Sequence, residues 1–376
     1  MRNAAFFAWG ILNPGSMSLI SAVLLVAISS ALVQGFEVTD TIILERFGGY
    51  YGLAYNPDKG EIFLTNGDFH LVYVISDQTH SVGATIPVGH IPSAITYNQE
   101  KGELLVTNFG SDSVSVISAS NYMVTATIPV GHKPMGVASA PDKGKIFVAN
   151  YGAGTVSVIS DSDFSLIATV PVGEMPCALT YDHARGEVYV GHAGCNQVIA
   201  LSADTHRIVA NITVDGLPTS LEYAADRGEI YVVNHNFSSV SAISTGNYAV
   251  VATIPVGNQP SAIAYDRGSG LVFVANFKSK SISVIAAENK TVVATIPLEG
   301  EPQGICYDSG KKELYVAFSE SHKVTVISVL SPNATHTIQN EYIAYTLLIA
   351  VSVSIALLIL TVSIYKSLRL RRIPNK

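Results

Sequence analysis

The sequence predicts an all-β protein, a seven-bladed β-propeller of four-stranded blades, followed by one C-terminal transmembrane helix. A proline recurs at an interval of 42 residues, other short motifs recur in step with it, and an uncharged segment lies near the C-terminus. The recurring prolines are Pro92, Pro134, Pro176, Pro218, Pro260 and Pro302. Such a progression indicates that one unit was copied along the chain.

The number of units follows from an apolar motif that ends in asparagine, Leu105–Asn108 in one copy. Its other copies, weaker at both ends of the series, are Phe63–Asn66, Phe147–Asn150, Tyr189–His192, Tyr231–Asn234, Phe273–Asn276 and Tyr315–Phe318. The series predicts seven units between about Leu44 and Thr337.

A repeat of this length fits either a propeller blade or a helical repeat of the HEAT or armadillo kind. Within one unit, four short segments rich in Val, Ile, Thr and Tyr read as strands, and Gly, Asn, Asp and Ser cluster between them. The predicted strands are Ser93–Tyr97, Glu103–Thr107, Ser113–Ser118 and Met123–Val130. Four strands in each of seven units predict the propeller.

Residues at the joints of the repeat have structural interpretations. We expect Gly131 to take a positive φ where the chain leaves a blade, and Pro134 to begin the next innermost strand. The motif asparagine is expected to bond its own turn backbone. An extra copy of the outer strand, residues 40–44, precedes the first unit, and we expect it to pair with residues 323–328 and close the last blade.

The N-terminal region, residues 1–35, contains the apolar run Ser18–Val33. Its length and position are typical of a secretory signal peptide, with an uncleaved anchor as the alternative. The repeats then form a predicted ectodomain over residues 36–338, and residues 339–341 end the linker that follows.

Residues 342–365 carry no charge and would form about 36 Å of helix, enough to cross a hydrocarbon core of about 30 Å. Basic side chains follow at Lys366, Arg369, Arg371, Arg372 and Lys376. By the positive-inside rule, the tail of residues 366–376 is predicted to be cytoplasmic and the propeller extracellular, in a single-pass protein of the cell membrane.

The whole chain has a formal net charge of −7, and it includes those five basic residues, which lie outside the repeats. The ectodomain is therefore more acidic than the chain as a whole. An acidic ectodomain is a poor partner for nucleic acid, because phosphate contacts require a basic face. The sequence motif for N-glycosylation occurs at Asn211, Asn236, Asn289 and Asn333. Cys177 and Cys195 lie in one unit at positions that open on the same face, so a disulfide between them is a further hypothesis.

The candidate binding face carries the loops that enter the innermost strands and leave the second strands. His90, His132 and Glu174 share one repeat phase in consecutive units, and His192 lies at the second loop position. Two histidines and a carboxylate suit a divalent metal such as zinc, although polar surface positions explain them as well. No cofactor is predicted beyond that candidate metal. Phe109, Tyr151 and Phe277 either stack on a ligand or, as we expect, pack onto neighbouring loops.

The segment Ile128–Ser160 resembles the YVTN-type β-propeller repeat of prokaryotic, especially archaeal, cell-surface and surface-layer proteins. The resemblance covers seven consecutive units and implies the propeller fold together with a place at the cell surface. Tyr50 stands where the repeat proline is expected, and Phe318 stands where the motif asparagine is expected.

The sequence therefore favours a membrane-anchored surface protein with a structural, adhesive or protein-interaction role, whose partners are the membrane and other surface proteins or copies of itself. One alternative is an extracellular propeller enzyme, lactonase-like or lyase-like, or a ligand receptor that uses the loop face. Another is an accessory ectodomain of a membrane complex. The sequence lacks familiar catalytic motifs such as Gly-x-Ser-x-Gly and His-Glu-x-x-His, so it specifies no catalytic residue or substrate.

Overall fold

A computed structural model of the chain describes residues 35–46, 48–49, 52–319 and 321–329. These residues form twenty-eight β-strands, arranged as seven four-stranded antiparallel sheets. Two short 3₁₀ turns, Pro141–Lys143 and His235–Phe237, are the helical elements of this part of the chain, and neither could span a membrane. The predicted signal segment and the predicted transmembrane helix at residues 342–365 lie outside the described residues.

The strands follow the order that the repeat predicts, with the innermost strand of each blade first. The strand β1 (Phe36–Ile43) precedes the blades. The first blade comprises β2 (Leu53–Asn56), β3 (Glu61–Asn66), β4 (Leu71–Ser76) and β5 (Ser81–Pro87), and the second comprises β6 (Pro92–Asn98), β7 (Glu103–Asn108), β8 (Ser113–Ser118) and β9 (Val124–Pro129). The third comprises β10 (Pro134–Ala140), β11 (Lys145–Asn150), β12 (Thr155–Ser160) and β13 (Leu166–Pro171), and the fourth comprises β14 (Pro176–Asp182), β15 (Glu187–His192), β16 (Gln197–Ser202) and β17 (Ile208–Thr213). The fifth blade comprises β18 (Pro218–Ala224), β19 (Glu229–Asn234), β20 (Ser239–Ser244) and β21 (Val250–Pro255), and the sixth comprises β22 (Pro260–Asp266), β23 (Leu271–Asn276), β24 (Ser281–Ala286) and β25 (Thr291–Pro297). The seventh contains β26 (Pro302–Asp308), β27 (Glu313–Phe318) and β28 (Lys323–Val329).

The seventh blade is completed by the N-terminal strand, as predicted. Its sheet has the order β1-β28-β27-β26, so β1 supplies the outer strand. The Leu44 N–H donates to the His322 carbonyl at 2.7 Å just beyond the pairing. The innermost strands contact one another in sequence around the ring, and β26 contacts β2. Closure therefore joins the two ends of the repeat array and protects edges that an open array would expose.

The core lies between adjacent blades. The apolar side chains of β3, β4, β27 and β28 form one cluster with Ile42 and Leu44, and equivalent clusters join the other blades. Lysines near the start of the second strands add polar links, because Lys59 Nζ donates to the Ala119 carbonyl and Lys101 Nζ to the Asp161 carbonyl of the next blade. Lys311 makes the equivalent bond to Asp77 across the closure.

The motif asparagine bonds the neighbouring strand in four copies, where the expectation of a bond to its own turn backbone was wrong. In the first blade the expected bond forms, because Asn66 Oδ1 accepts from the Phe69 N–H at 3.1 Å. Asn150 Nδ2 donates to Thr155 Oγ1 at 3.0 Å and to Ser157 Oγ at 2.9 Å, both on β12. Asn108, Asn234 and Asn276 make the same pair of bonds to serines of their third strands. The amide thus stabilises the turn by tying the second strand to the third.

The repeat glycine also has a different role from the one expected. A Cβ atom on Gly131 would lie 2.6 Å from the Asn150 side chain, so the position requires close approach and not a positive φ. The positive φ falls two residues later, at 53° for Lys133, immediately before the strand that Pro134 begins. The equivalent residues Ile91, Met175 and Gln259 also have positive φ angles.

Candidate functional site

The four predicted metal ligands occupy separate positions on the loop face. Among the residues that the structure describes, no three His, Cys, Asp or Glu side chains form a group that could hold a metal ion. His90, His132 and Glu174 are exposed, whereas His192 is 1% exposed. The shared repeat phase therefore does not assemble these side chains into one metal centre, because it spreads them over consecutive blades.

His192 takes the place of the motif asparagine and serves the loop backbone. Its Nε2 lies 3.0 Å from the Val172 carbonyl oxygen and its Nδ1 lies 3.2 Å from the Gln197 carbonyl oxygen. Burial lowers the pKa of His192 because the charged imidazolium loses hydration. A buried imidazole whose two ring nitrogens face backbone carbonyls has a structural role, and its occurrence at the buried repeat position is the sequence signal for that role.

His132 contacts Asp112 at the surface instead of sharing a site with His90. Its Nδ1 lies 3.1 Å from Asp112 Oδ2, and the Lys133 N–H donates to Asp112 Oδ1 at 2.8 Å. The pKa of Asp112 is lowered first by the Lys133 N–H bond and then by His132. The His90 ring packs edge-on against His70, with ring centroids 4.5 Å apart.

The loop aromatic residues pack onto their neighbours, as expected. The Phe109 and Tyr151 ring centroids are 6.3 Å apart, and Lys133 Nζ lies 5.7 Å from the Phe109 centroid. Phe277 similarly contacts the Lys278 ammonium. These contacts occupy ring surfaces that a stacked ligand would otherwise use.

Of the four candidate glycosylation sites, three are exposed and one falls on residues that the structure does not describe. Asn211 lies on the outer strand β17, Asn236 in a loop of the candidate face and Asn289 in a turn. The side-chain oxygen of Asn236 accepts a bond from the Leu217 N–H at 2.9 Å. Asn333 lies beyond the described residues.

The predicted disulfide is absent, since Cys177, Cys195 and Cys306 are all free thiols. Cys177 is buried and its thiol donates to the backbone carbonyls of Gly191 and Pro218 at 3.4 and 3.1 Å. Its Sγ is thus directed at β15 and the next blade rather than at Cys195. Burial also raises the pKa of Cys177 to about 12, which disfavours the reactive thiolate.

We expect a thiol reagent such as DTNB to modify Cys195 rapidly in the folded chain, because Cys195 is partly exposed while Cys177 and Cys306 are buried. The native protein should react at one site per chain, and the unfolded protein at three. Cys195→Ser is the control and should abolish the native reaction. A non-reactive native chain that releases two further thiols only after reduction would restore the disulfide hypothesis.

A second candidate site, away from the loop positions that the sequence indicated, lies in the central channel. One cavity of about 460 Å³ is lined by innermost-strand residues from all seven blades, and a second of about 800 Å³ opens toward the opposite face. Both belong to the range typical of small-molecule sites. The residues that line both cavities are Leu53, Ile95, Val137, Leu179, Leu221 and Glu222.

Glu222 is the one carboxylate where these two cavities meet. The equivalent positions in the other blades hold small side chains, namely Ala54, Thr96, Ala138, Thr180, Ala264 and Cys306. The Glu222 carboxylate has no hydrogen-bond or ion-pair partner among the described residues, and desolvation raises its pKa to about 8. The sequence signal was a single acid at a repeat position that is otherwise small, four residues after the repeated proline.

The fold, but no closer relationship, is shared with solved structures. The chain is similar to a structure titled Kuenenia stuttgartiensis hydrazine synthase, with 19% identity and a TM-score of 0.68 over 77% of this chain and 97% of that one. It is also similar to a streptogramin B lyase structure, with 14% identity and a TM-score of 0.68 over 78% of this chain and 98% of that one. No protein-family model and no curated protein sequence matches the chain.

Proposed function

We propose that this chain is a membrane-anchored cell-surface propeller that binds other proteins through its outer rim. The anchor is the uncharged segment 342–365 with the basic tail after it, and export is directed by the apolar run Ser18–Val33. The resemblance of Ile128–Ser160 to YVTN-type repeats of surface-layer proteins supports the same location. In this proposal the acidic propeller contacts neighbouring surface proteins, copies of itself first among them.

The observation that carries the proposal is a run of exposed aliphatic side chains on the outer strands of four consecutive blades. Ile167, Val209, Val251 and Val293 occupy equivalent positions and are 45–52% exposed. Each follows another exposed aliphatic residue, which is Leu166, Ile208, Val250 or Val292. Soluble domains generally keep such repeated apolar surface small unless a partner covers it.

The other three outer strands interrupt this pattern at one of its two positions, although β9 keeps an exposed Val124 at the other. At the position of Ile167 they carry Thr41, Gly83 and Thr125. Outer strands are also sheet edges, whose unpaired backbone groups can bond a strand or loop of a partner. We define the apolar rim as Leu166, Ile167, Ile208, Val209, Val250, Val251, Val292 and Val293, and propose it as the protein-binding surface.

The alternative enzymatic role has weaker support. Hydrazine synthase and streptogramin B lyase are enzymes by name, but at 19% and 14% identity the similarity concerns the fold alone. The polar residues that the sequence offered for chemistry on the loop face are dispersed or engaged with the backbone. Binding through repeated surface positions requires no such convergence.

The test is cross-linking mass spectrometry on intact cells that carry the full-length chain. We expect cross-links from residues beside the apolar rim to another propeller, and at least a tenfold loss of them in a variant with Ile167→Glu, Val209→Glu and Val251→Glu. Thr41→Glu with Thr125→Glu is the matched control at the same repeat positions and should retain them. Cross-links confined to one unrelated membrane protein would favour the accessory-subunit alternative, and rim variants with unchanged cross-links would overturn the proposal.

A further inference from the structure

The central channel has the charge and shape of a site for an organic cation. Its two cavities are lined by three carboxylates, those of Glu222, Glu100 and Asp142, and by no Lys or Arg among the described residues. Acidic groups within low-dielectric walls concentrate a negative potential. The channel therefore attracts cations and repels anions once Glu222 is ionised.

Each cavity is lined by a residue whose hydroxyl has no hydrogen-bond partner. Thr219 Oγ1 in the smaller cavity and Ser139 Oγ in the larger one are buried and have no hydrogen-bond partner. Buried hydroxyls are normally satisfied, so these two leave hydrogen-bonding capacity unused beside the cavities that Glu222 joins. Glu222 itself is unpartnered among the described residues, which distinguishes it from Asp142, whose Oδ1 accepts a bond from Tyr181 at 2.8 Å.

The surroundings of Glu222 favour a cation that carries a hydrocarbon part over a metal ion. Divalent metals require several oxygen, nitrogen or sulfur ligands, and no such group exists in the described part of the chain. Aliphatic side chains occupy the repeat position just before Glu222 in every blade, namely Leu53, Ile95, Val137, Leu179, Leu221, Ile263 and Ile305. All of them line at least one cavity.

We propose that the channel binds a small aliphatic amine in its ammonium form. The ammonium group lies on the Glu222 carboxylate, and the hydrocarbon chain lies against the aliphatic side chains that the seven blades contribute. The site lies in the channel and is independent of the apolar rim.

Binding is coupled to loss of the Glu222 proton. Only the ionised carboxylate forms an ion pair, and the unliganded group is mostly protonated at pH 7 because its pKa is about 8. The ionised fraction rises from about a tenth at pH 7 to about nine tenths at pH 9, so the affinity should rise about tenfold. The other titratable side chains that line the cavities are Tyr55, Tyr97, Glu100, Asp142, Cys177, Tyr181, His183 and His235.

The experiment titrates the purified full-length chain with n-pentylamine by isothermal calorimetry at pH 7 and pH 9. Pentanol and pentanoate are the matched probes without a positive charge. We expect n-pentylamine to bind about tenfold more tightly at pH 9, pentanol to bind at least tenfold more weakly than the amine, and pentanoate not to bind. At pH 7 the amine should release a proton, seen as a heat that depends on the ionisation enthalpy of the buffer.

Variants distinguish binding at Glu222 from non-specific attraction of the amine to the acidic protein. Glu222→Gln should weaken n-pentylamine binding at least tenfold at pH 9 and remove its pH dependence, and Glu222→Asp should retain the preference for the amine over pentanol. The control is Glu174→Gln, which changes an exposed carboxylate outside both cavities and should bind like the original chain. Circular dichroism verifies that each variant is folded. Equal binding of pentanol and n-pentylamine, equal binding by Glu222→Gln, or no binding of the amine at pH 9 would each overturn the proposal.

Discussion

Replacing Glu222 with Gln is expected to stabilise the propeller at pH 8.5 and to leave its stability nearly unchanged at pH 4. The folded chain holds the pKa of Glu222 at about 8, against an ordinary value of 4.5, because the carboxyl loses hydration in the channel. Between these two values the unfolded chain releases the proton while the folded chain retains it. The free energy of unfolding therefore falls as the pH rises through this window, and glutamine removes that loss.

The magnitude follows from the size of the pKa shift. Each unit corresponds to about 1.4 kcal/mol, and the channel admits water to Glu222, so we expect a relative gain of about 2–4 kcal/mol for Glu222→Gln at pH 8.5. Urea unfolding at pH 4 and pH 8.5, followed by circular dichroism, measures it. Glu100→Gln changes an exposed carboxylate and is the control, with no comparable gain. Parallel pH profiles for Glu222→Gln and the original chain would show that burial does not perturb this group.

The fold could be predicted from the sequence because every blade repeats the same pattern of strands and turns. One strand pattern, read between Pro92 and Val130, was enough to predict the strands of the other blades to within about two residues. The extra copy at residues 40–44 predicted the closure, because an outer strand without a blade of its own has one vacant place in the ring. The repeat thus supplied both the local structure and the long-range pairing.

The candidate site was less predictable, because it depends on how the repeats face one another across the ring. Consecutive blades place His90, His132 and Glu174 around a circle, so an equal repeat phase separates side chains instead of gathering them. Glu222 was missed because the fold brings side chains from different blades together around it. It lies within the innermost strand β18, where the sequence reads as core, and its significance appears only when seven such strands surround one channel.

The same geometry explains the incorrect expectations about the turn residues. Gly131 and Asn150 are distant in sequence, and their contact arises when the loop entering one blade packs on the end of its second strand. Sequence alone suggests the conformational freedom of glycine, whereas the structure requires its lack of a side chain. Interblade packing therefore fixed details that local turn chemistry could not predict.

The ring closure gives the second prediction of large effect, because adjacent isoleucines on β1 differ in burial. Ile42 is 4% exposed and belongs to the cluster between the seventh and first blades, whereas Ile43 is 56% exposed. Ile42→Asp would place an unpaired carboxylate in that cluster and release β1 from the ring, so we expect a loss of more than about 4 kcal/mol in the free energy of unfolding.

Ile43→Asp is the matched control, with the same change one residue along the same strand, and should cost within about 1 kcal/mol. Urea unfolding of both variants measures the difference, and limited proteolysis should cleave the N-terminal strand of Ile42→Asp first, because loss of that strand leaves β28 as an open edge. If both variants lost the same stability, the closure would depend on backbone pairing alone. A large difference would show that side-chain burial holds the first strand in the last blade, and that the two ends of the repeat array stabilise one another.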